Sequence, residues 1–329
     1  MKVLVTGVNG FLAANVVREL NRRGVPVRGL ARASADLSAL AGADCEVMAG
    51  SYTDEEDLDR AIRGCNFVVH AAAFTGPTPT ALKHYLQPNV EGTRNVIRAC
   101  LKEGVRRLVY VSTVNTIGYG TAENPGREDW PLNGPPFSRS GYALSKVLAE
   151  GLIRESVEGQ GLDAVIVNPS FIIGPYDAKP SSNRMLQIYY EKSFTLLPPG
   201  GKNFVYVGDV AVAICNALEK GRAGERYILA NRNLTLNAFF DLVEPVVGRK
   251  QRRIHVPGTL IRLAGFAGGL ANVFGSSYQL DPVTAHILSI RNFYSSEKAV
   301  RELGMPQTPI EQAIREAWDW LERRKAAST

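Results

Sequence analysis

The sequence predicts an α/β fold, a doubly wound parallel sheet with a smaller C-terminal lobe. Apolar, strand-like runs alternate with helical patterns through the first half of the chain. These runs are continuously apolar, which is typical of parallel strands covered by helices on both faces. After Pro169 the pattern changes to frequent proline and glycine with more aromatic residues. We interpret that change as the start of the smaller lobe.

The elements of the predicted sheet follow one another in chain order. The expected strands are the apolar runs at residues 2–6, 26–31, 45–49, 67–71, 107–112 and 163–168. The expected helices between and after them are residues 12–22, 54–63, 92–103 and 141–158. Ligands bind at the carboxyl ends of the strands in open sheets of this kind. We therefore expect the functional residues just after strands.

The second half of the chain is predicted to interleave the two parts. The large domain is expected to comprise residues 1–169 and about 203–230, and the lobe about 170–202 and 231–329. Residues 260–274 are apolar and glycine-rich, but they are fewer than the roughly 20 that span a bilayer and include Arg262. A helix that covers a substrate cleft is favoured here over a membrane anchor.

A glycine loop at the N-terminus predicts a phosphate-binding turn. The first expected strand leads into Gly7 and Gly10, and a helix begins directly after them. Glycines at these places let backbone N–H groups approach a pyrophosphate, which the positive helix N-terminus also attracts. Ala13 stands where the dinucleotide fingerprint has its third glycine. The loop still favours a dinucleotide over a plain packing turn.

A second motif predicts proton-transfer chemistry. Tyr142 and Lys146 are four residues apart and so share one face of a helix. A phenol beside a fixed cation and an oxidised nicotinamide ring has a lowered pKa, which suits it to give or take a proton near neutrality. Ser112 and Thr113 end the preceding strand and would face opposite sides of it. Thr113 is the expected substrate-binding hydroxyl and Ser112 the structural one.

The chain at this point resembles the extended, or atypical, short-chain dehydrogenase/reductases. Within them it is similar to the dihydroflavonol-4-reductase-like group, whose bacterial members are often described as NAD-dependent epimerase/dehydratases. The resemblance extends over nearly the whole length. It rests on eight motifs in the family's order, which are residues 6–12 (TGVNGFL), 27–32 (VRGLAR), 70–73 (HAAA), 89–93 (NVEGT), 109–113 (VYVST), 142–146 (YALSK), 168–175 (NPSFIIGP) and 207–211 (VGDVA).

The resemblance implies a Rossmann domain and a set of site residues. Thr113 would bind the substrate oxygen, Tyr142 would transfer the proton, and Lys146 would hold the nicotinamide ribose. The expected dinucleotide-binding residues are Gly7, Asn9, Gly10, Phe11, Leu12, Arg32, Ser51, Tyr52, Ala71, Ala72, Ala73, Asn89, Val111, Tyr142, Lys146, Pro169 and Ile172. Asn89 would order a water-linked proton path or bind the backbone, and the backbone role is favoured.

The end of the second strand favours NADP(H) over NAD(H). Sheets that select NAD place an acid there to bind the ribose hydroxyls. This chain has Ala31, Arg32 and then Ser34, a pattern that suits a 2′-phosphate. It also departs from the family at residues 51–52, where Ser-Tyr replaces Asp-Leu and Tyr52 would stack on adenine, and at 168–169, where Asn-Pro replaces Arg-Pro.

The substrate pocket is expected to be aromatic and apolar. Its predicted residues lie near the catalytic elements in sequence and are Phe74, Thr75, Tyr119, Phe137, Phe171, Met185 and Tyr189. Such a lining favours reduction of a flat or terpenoid ketone, or of an aldehyde, as the function. Two alternatives stay open: a nucleotide-sugar epimerase or dehydratase with tightly held NAD, and a non-catalytic dinucleotide-binding regulator.

Composition excludes several other classes of protein. The 329 residues are 45% hydrophobic with a formal net charge of +6 that is not concentrated in runs, so no nucleic-acid partner is predicted. His70 is expected to fill space, and the histidines show no metal-ligand spacing. The four cysteines are well separated and the chain opens directly on a strand, which favours a cytoplasmic protein with reduced thiols. The expected helices 92–103 and 141–158 offer a homodimer interface.

Overall fold

A computed structural model describes residues 1–76, 81–179, 181–273 and 280–327. Its strands are β1 Val3–Thr6, β2 Val27–Ala31, β3 Glu46–Ala49, β4 Phe67–His70, β5 Arg107–Val111, β6 Ala164–Pro169, β7 Phe171–Ile173, β8 Phe194–Leu197, β9 Gly201–Tyr206, β10 Arg226–Leu229, β11 Arg232–Thr235, β12 Arg252–His255 and β13 Arg291–Asn292. Its helices are α1 Phe11–Arg22, α2 Glu55–Ile62, α3 Lys83–Tyr85, which continues as a π-helical turn over Leu86–Glu91, α4 Gly92–Lys102, α5 Gly141–Gln160, α6 Arg184–Glu191, α7 Val207–Lys220, α8 Leu236–Val247, α9 Gly258–Val273, α10 Pro282–Ser289, α11 Glu297–Leu303 and α12 Ile310–Ala327.

Seven parallel strands form the central sheet in the order β10-β6-β5-β4-β1-β2-β3. The chain winds outward from β1 to β3 on one side and from β4 to β10 on the other. The order therefore reverses between β1 and β4, and the crevice outside their carboxyl ends is where such sheets bind ligands. The predicted α/β, doubly wound parallel fold is confirmed.

Both faces of this sheet are buried, which explains why its strands are continuously apolar. Val3 and Val5 pack on one side with α1 and α7, and Leu4 between them packs on the other side with α2, α4 and α5. Successive side chains of a strand point to opposite faces, so each face receives its own apolar row. Because an apolar core covers each face of the sheet, a ligand can reach the strands at their ends.

A second sheet lies in the C-terminal part, with its own core. Strand β9 pairs with β7, β11 and β13, and residues of α8 and α12 pack with them. Strands β8 and β12 form a separate parallel pair. The predicted division into two domains stays a prediction. Strand β9, Gly201–Tyr206, is in the second sheet. The segment of the chain that returns to the large domain would therefore begin with α7, at residue 207 rather than 203.

Helix α9 covers most of the apolar, glycine-rich segment. It runs over Gly258–Val273, so the predicted helix is present as far as the structure describes it, and residue 274 lies outside the described part. Gly265 faces Ala285 of α10, where an added Cβ would lie 2.3 Å from the alanine methyl group. Glycine thus permits close packing of α9 on α10. Across the described residues, every helix is too short or too polar to cross a bilayer.

Candidate active site

The glycine turn after β1 forms a cradle open to a phosphate. Gly7 has φ +65°, and a Cβ there would lie 2.7 Å from the Cα of Ala72, so a side chain is excluded both by conformation and by space. The Gly10 N–H donates to the Gly7 carbonyl at 2.9 Å and turns the chain into α1. Within the part of the chain that the structure describes, no side chain caps α1. Its first N–H groups are thus left for a ligand, and the cradle fits the pyrophosphate of a dinucleotide.

Thr6 and His70 tie together the ends of the two strands that flank this crevice. The Thr6 hydroxyl lies 2.7 Å from His70 Nδ1 and accepts from the Ala72 N–H at 3.2 Å. Burial, together with the Lys146 charge, lowers the pKa of His70 to about 3. The imidazole is therefore neutral at physiological pH. Its contacts are those of a residue that fixes the turn at residues 71–73 beside Gly7.

The residues expected around the adenosine follow β2 and β3. Arg32 and Ser34 are exposed directly after β2. The Tyr52 ring is half-buried, with its centroid 5.5 Å from that of His70 and its edge against Gly92. Burial raises the pKa of Tyr52, and the nearby Arg32 charge opposes that rise. Ser51 binds Thr53 through its hydroxyl and Asp57 through its N–H.

Tyr142 and Lys146 occupy the first two turns of α5. The Lys146 ammonium is buried, donates to the Val111 carbonyl at 2.7 Å and lies 4.2 Å from the Tyr110 ring centroid. Lys146 thereby reaches from α5 to the end of β5, two residues before Thr113. The start of α5 is fixed by Ser140, whose hydroxyl accepts from the Ala143 N–H.

In the protein without a cofactor, the pKa values of Tyr142 and Lys146 differ from the ordinary ones. Burial, reinforced by Tyr85, raises the pKa of Tyr142 to about 12. Burial also lowers the pKa of Lys146 to about 7, although Glu150 acts in the opposite direction. Both shifts have one cause, because a buried site disfavours whichever form carries charge. The lowered pKa predicted for Tyr142 requires the charge of an oxidised nicotinamide and stays a prediction.

Glu150 connects the elements that carry Tyr142 and Thr113, and the sequence analysis did not identify it. Its Oε1 accepts from the Ser112 hydroxyl at 2.6 Å, the Thr116 hydroxyl at 2.8 Å and the Asn168 amide at 2.8 Å. The same Asn168 amide lies 3.0 Å from the Thr113 carbonyl. This buried carboxylate therefore links α5, β6 and the Thr113 backbone. The available signal was its position four residues after Lys146, on the same helix face.

The Asn89 side chain binds the backbone of Phe74. The Asn89 side chain accepts from the Phe74 N–H at 2.7 Å and donates to the Phe74 carbonyl at 3.0 Å. It also donates to the Ser145 hydroxyl at 3.0 Å, next to Lys146 in the chain. Asn89 lies in the π-helical turn and orders the loop after β4. The Phe74, Tyr85 and Tyr142 rings form a row, with centroids 5.4 and 6.1 Å apart.

The structure separates the residues expected in the substrate pocket. Phe74 and Thr75 are exposed, and Tyr119, Phe171 and Met185 are half-buried. Phe137 and Tyr189 are fully buried; Tyr189 stacks on Phe240 with centroids 4.7 Å apart, inside the core of the second sheet. Both rings are buried among other side chains, so neither is proposed to line a substrate pocket. An aromatic side chain near the site in sequence does not by itself indicate whether the residue lines a pocket or belongs to the hydrophobic core.

A cavity of about 100 Å³ lies beside Thr113. Phe171 is the one residue of the predicted pocket that lines it. The cavity also receives Lys202 of β9, which the sequence interpretation missed. The residues that line it are Thr113, Val114, Asn115, Ser170, Phe171, Lys202, Asn203, Asn292 and Tyr294.

Comparisons with known proteins agree with this arrangement. Residues 3–230 match the NAD-dependent epimerase/dehydratase family. The chain is 30% identical to sterol demethylase protein B of Methylococcus capsulatus, over 98% of this chain and 99% of that protein. It is 31% identical to a putative dihydroflavonol 4-reductase of Synechocystis, over 99% and 96%. A dTDP-glucose 4,6-dehydratase from Streptomyces venezuelae, solved with NAD, has the same fold, with a TM-score of 0.79, 22% identity and coverage of 99% and 98%.

Proposed function

The chain belongs to the NAD-dependent epimerase/dehydratase family and is an NAD(P)-dependent oxidoreductase, and from that premise we propose that it reduces a ketone or aldehyde with NADPH. One observation carries the proposal. Lys146 crosses from α5 to the Val111 carbonyl and so holds the helix turn of Tyr142 against the strand end that bears Thr113. A phenol, an ammonium and a hydroxyl at one site are the groups that carbonyl reduction requires.

Each of the three residues has a distinct role in this proposal. The Thr113 hydroxyl donates to the substrate oxygen and orients it. The Tyr142 phenol gives its proton to that oxygen as negative charge develops there. The Lys146 ammonium lowers the cost of the phenolate that remains, since it is a cation in a buried site of low dielectric. When bound, the nicotinamide supplies the hydride for the substrate carbon.

The residues that would hold the dinucleotide come from the ends of β1 and β2 and from helix α5. Gly7 and Gly10 shape the turn, and the N-terminus of α1 binds the pyrophosphate, because the first N–H groups of the helix have no side-chain cap among the described residues. Arg32 binds the 2′-phosphate of NADP as an exposed cation after β2, where an acid would select NAD. Lys146 binds the nicotinamide ribose. The Ala31 and Arg32 pair therefore supports NADP(H) as the cofactor.

The substrate is proposed to be a carbonyl compound with an apolar body. The row of Phe74, Tyr85 and Tyr142 rings and the Phe171 ring at the Thr113 cavity support this. The names of the two relatives refer to a sterol and to a dihydroflavonol, both ring compounds with a large apolar area. The test is net oxidation of NADPH when a ketone or aldehyde of this type is added to desalted protein.

Replacing Arg32 by alanine is expected to weaken NADPH binding by about 1 to 3 kcal/mol and to leave NADH binding nearly unchanged. The reason is that the guanidinium would make charge-assisted hydrogen bonds only to the 2′-phosphate. Titration of cofactor fluorescence measures both affinities. Arg63→Ala, which removes another exposed arginine directly after α2, is the matched control. Equal losses for NADPH and NADH would assign Arg32 to loop shape and remove the preference for NADP.

A further inference from the structure

Lys202 places a cation in the wall of the cavity beside Thr113. The cavity of about 100 Å³ has room for a small polar group of a substrate. The Lys202 ammonium lies 5.4 Å from the centroid of the Phe171 ring, which also lines the cavity. Lys202 is half-buried and is one of the residues that line the cavity.

No negative charge balances this cation within the described part of the cavity wall. The other polar lining residues are amides and hydroxyls, including Asn115, Asn203, Asn292 and Tyr294. Among the described residues, the Lys202 side chain makes no hydrogen bond or ion pair, and its one polar contact is the cation–π contact with the Phe171 ring. Burial lowers the pKa of Lys202 to about 8. An anion bound in the cavity would offset the cost of holding this partly buried charge without a counter-charge.

The backbone that carries Lys202 is held rigidly. Lys202 pairs with Leu234 of β11 on one side and with Asn292 of β13 on the other. The neighbouring Asn203 side chain accepts from the Ser170 hydroxyl at 2.7 Å and donates to Asn233 at 2.8 Å. A charged group on the central strand of a sheet is positioned more precisely than one on a loop. The backbone of Lys202 is therefore held in place beside the cavity that Thr113 also lines.

We propose that Lys202 is a specificity-determining residue that binds an anionic oxygen group of the substrate, so that the carbonyl compounds preferred by this enzyme carry a carboxylate near the reacting carbon. The inference rests on the proposed carbonyl reduction and names the substrate class for it. The cation binds the carboxylate, while Thr113 and Tyr142 act on the carbonyl oxygen. The aromatic wall at Phe171 accommodates the apolar part of the same molecule.

The experiment compares keto acids with their methyl esters, which lack the negative charge and carry an additional methyl group. The pairs are benzoylformate, acetoacetate and levulinate with their methyl esters, an α-, a β- and a γ-keto acid in which the carboxylate stands progressively farther from the carbonyl. NADPH oxidation gives kcat/KM for the wild type, Lys202→Met, Lys202→Arg and the control Lys250→Met, which removes an exposed lysine before β12. NADPH affinity is measured for each variant and should stay the same, because Lys202 is not among the residues proposed to contact the cofactor.

The wild type is expected to prefer at least one keto acid to its ester by about tenfold or more. Lys202→Met should lower kcat/KM for that acid by about 10- to 100-fold, as expected for a lost charge-assisted hydrogen bond, and change the ester by less than about threefold. Lys202→Arg should retain most of the preference, and Lys250→Met all of it.

Three results would overturn the inference. These are a wild type that prefers every ester, a preference that survives in Lys202→Met, and equal losses for acid and ester in that variant. In each case reduction of the esters would leave the proposed function standing. If NADPH binds but none of the six compounds consumes it, the inference fails together with the proposed carbonyl reduction.

Discussion

Replacing Tyr142 by phenylalanine is expected to lower turnover at least about 100-fold and to leave NADPH affinity nearly unchanged. The variant keeps the ring that packs 6.1 Å from Tyr85 and removes only the hydroxyl. Without it, the substrate oxygen has no positioned proton donor as negative charge develops. The measurement is kcat for a ketone that the wild type reduces, with cofactor affinity from fluorescence titration.

Tyr85→Phe is the matched control for that experiment. It removes a hydroxyl from the neighbouring ring, where the group donates to the Gly76 carbonyl at 2.7 Å. Turnover of this control is expected to stay within about threefold of the wild type, because a lost structural hydrogen bond of about 1 kcal/mol acts on stability. Wild-type turnover in Tyr142→Phe, or an equal loss in both variants, would remove Tyr142 from the mechanism.

Lys146→Met is expected to weaken both turnover and cofactor binding. The change removes a buried ammonium and leaves the Val111 carbonyl without this donor, so the link between α5 and β5 is lost with the charge. We expect a loss of about 100-fold or more in kcat/KM, the range of general acid–base catalysis. Thermal unfolding of the variant, followed by circular dichroism, separates this effect from failure to fold.

A pH profile distinguishes the electrostatic role of Lys146 from a structural one. Reduction requires the protonated phenol, so turnover falls when pH rises through the pKa of Tyr142 in the loaded enzyme. A nearby ammonium lowers that pKa, and its removal raises it. The alkaline limb of the profile should therefore shift to higher pH in Lys146→Met. Unchanged cofactor affinity together with an unshifted alkaline limb would contradict the role proposed for Lys146.

The sheet was predictable from the sequence because its strands are buried on both faces. Each of the six predicted strands is present with ends within one residue of those expected, as β1 at Val3–Thr6 and β5 at Arg107–Val111 illustrate. Glycines and helix starts marked the turns between them. The sequence did not indicate that Asn203–Tyr206 lies in the second sheet, because the apolar pattern of a strand does not show which strand it pairs with.

The site was predictable only where local spacing carries the chemistry. The spacing of Tyr142 and Lys146 places both on one helix face, and the turn at Gly7 needs glycine for reasons that are local to it. Glu150 and Lys202 depend on contacts between segments far apart in the chain, 38 residues for Glu150 and Ser112. The partners in such contacts cannot be read from local spacing, and the position of Glu150 four residues after Lys146 indicates only that the two share a helix face. Tyr189 shows the reverse error, since an aromatic ring near the site in sequence belongs to the core.

The balance of cofactor consumption tests the central claim most directly. Purified protein is desalted, its dinucleotide content is identified by mass spectrometry, and it is then offered either a ketone with NADPH or UDP-glucose with no added cofactor. A reductase must release its oxidised cofactor in each cycle, so we expect protein largely free of NAD that forms one alcohol for each NADPH oxidised. Stoichiometric NAD that survives desalting, together with turnover of UDP-glucose without added cofactor, would contradict the account and identify an epimerase.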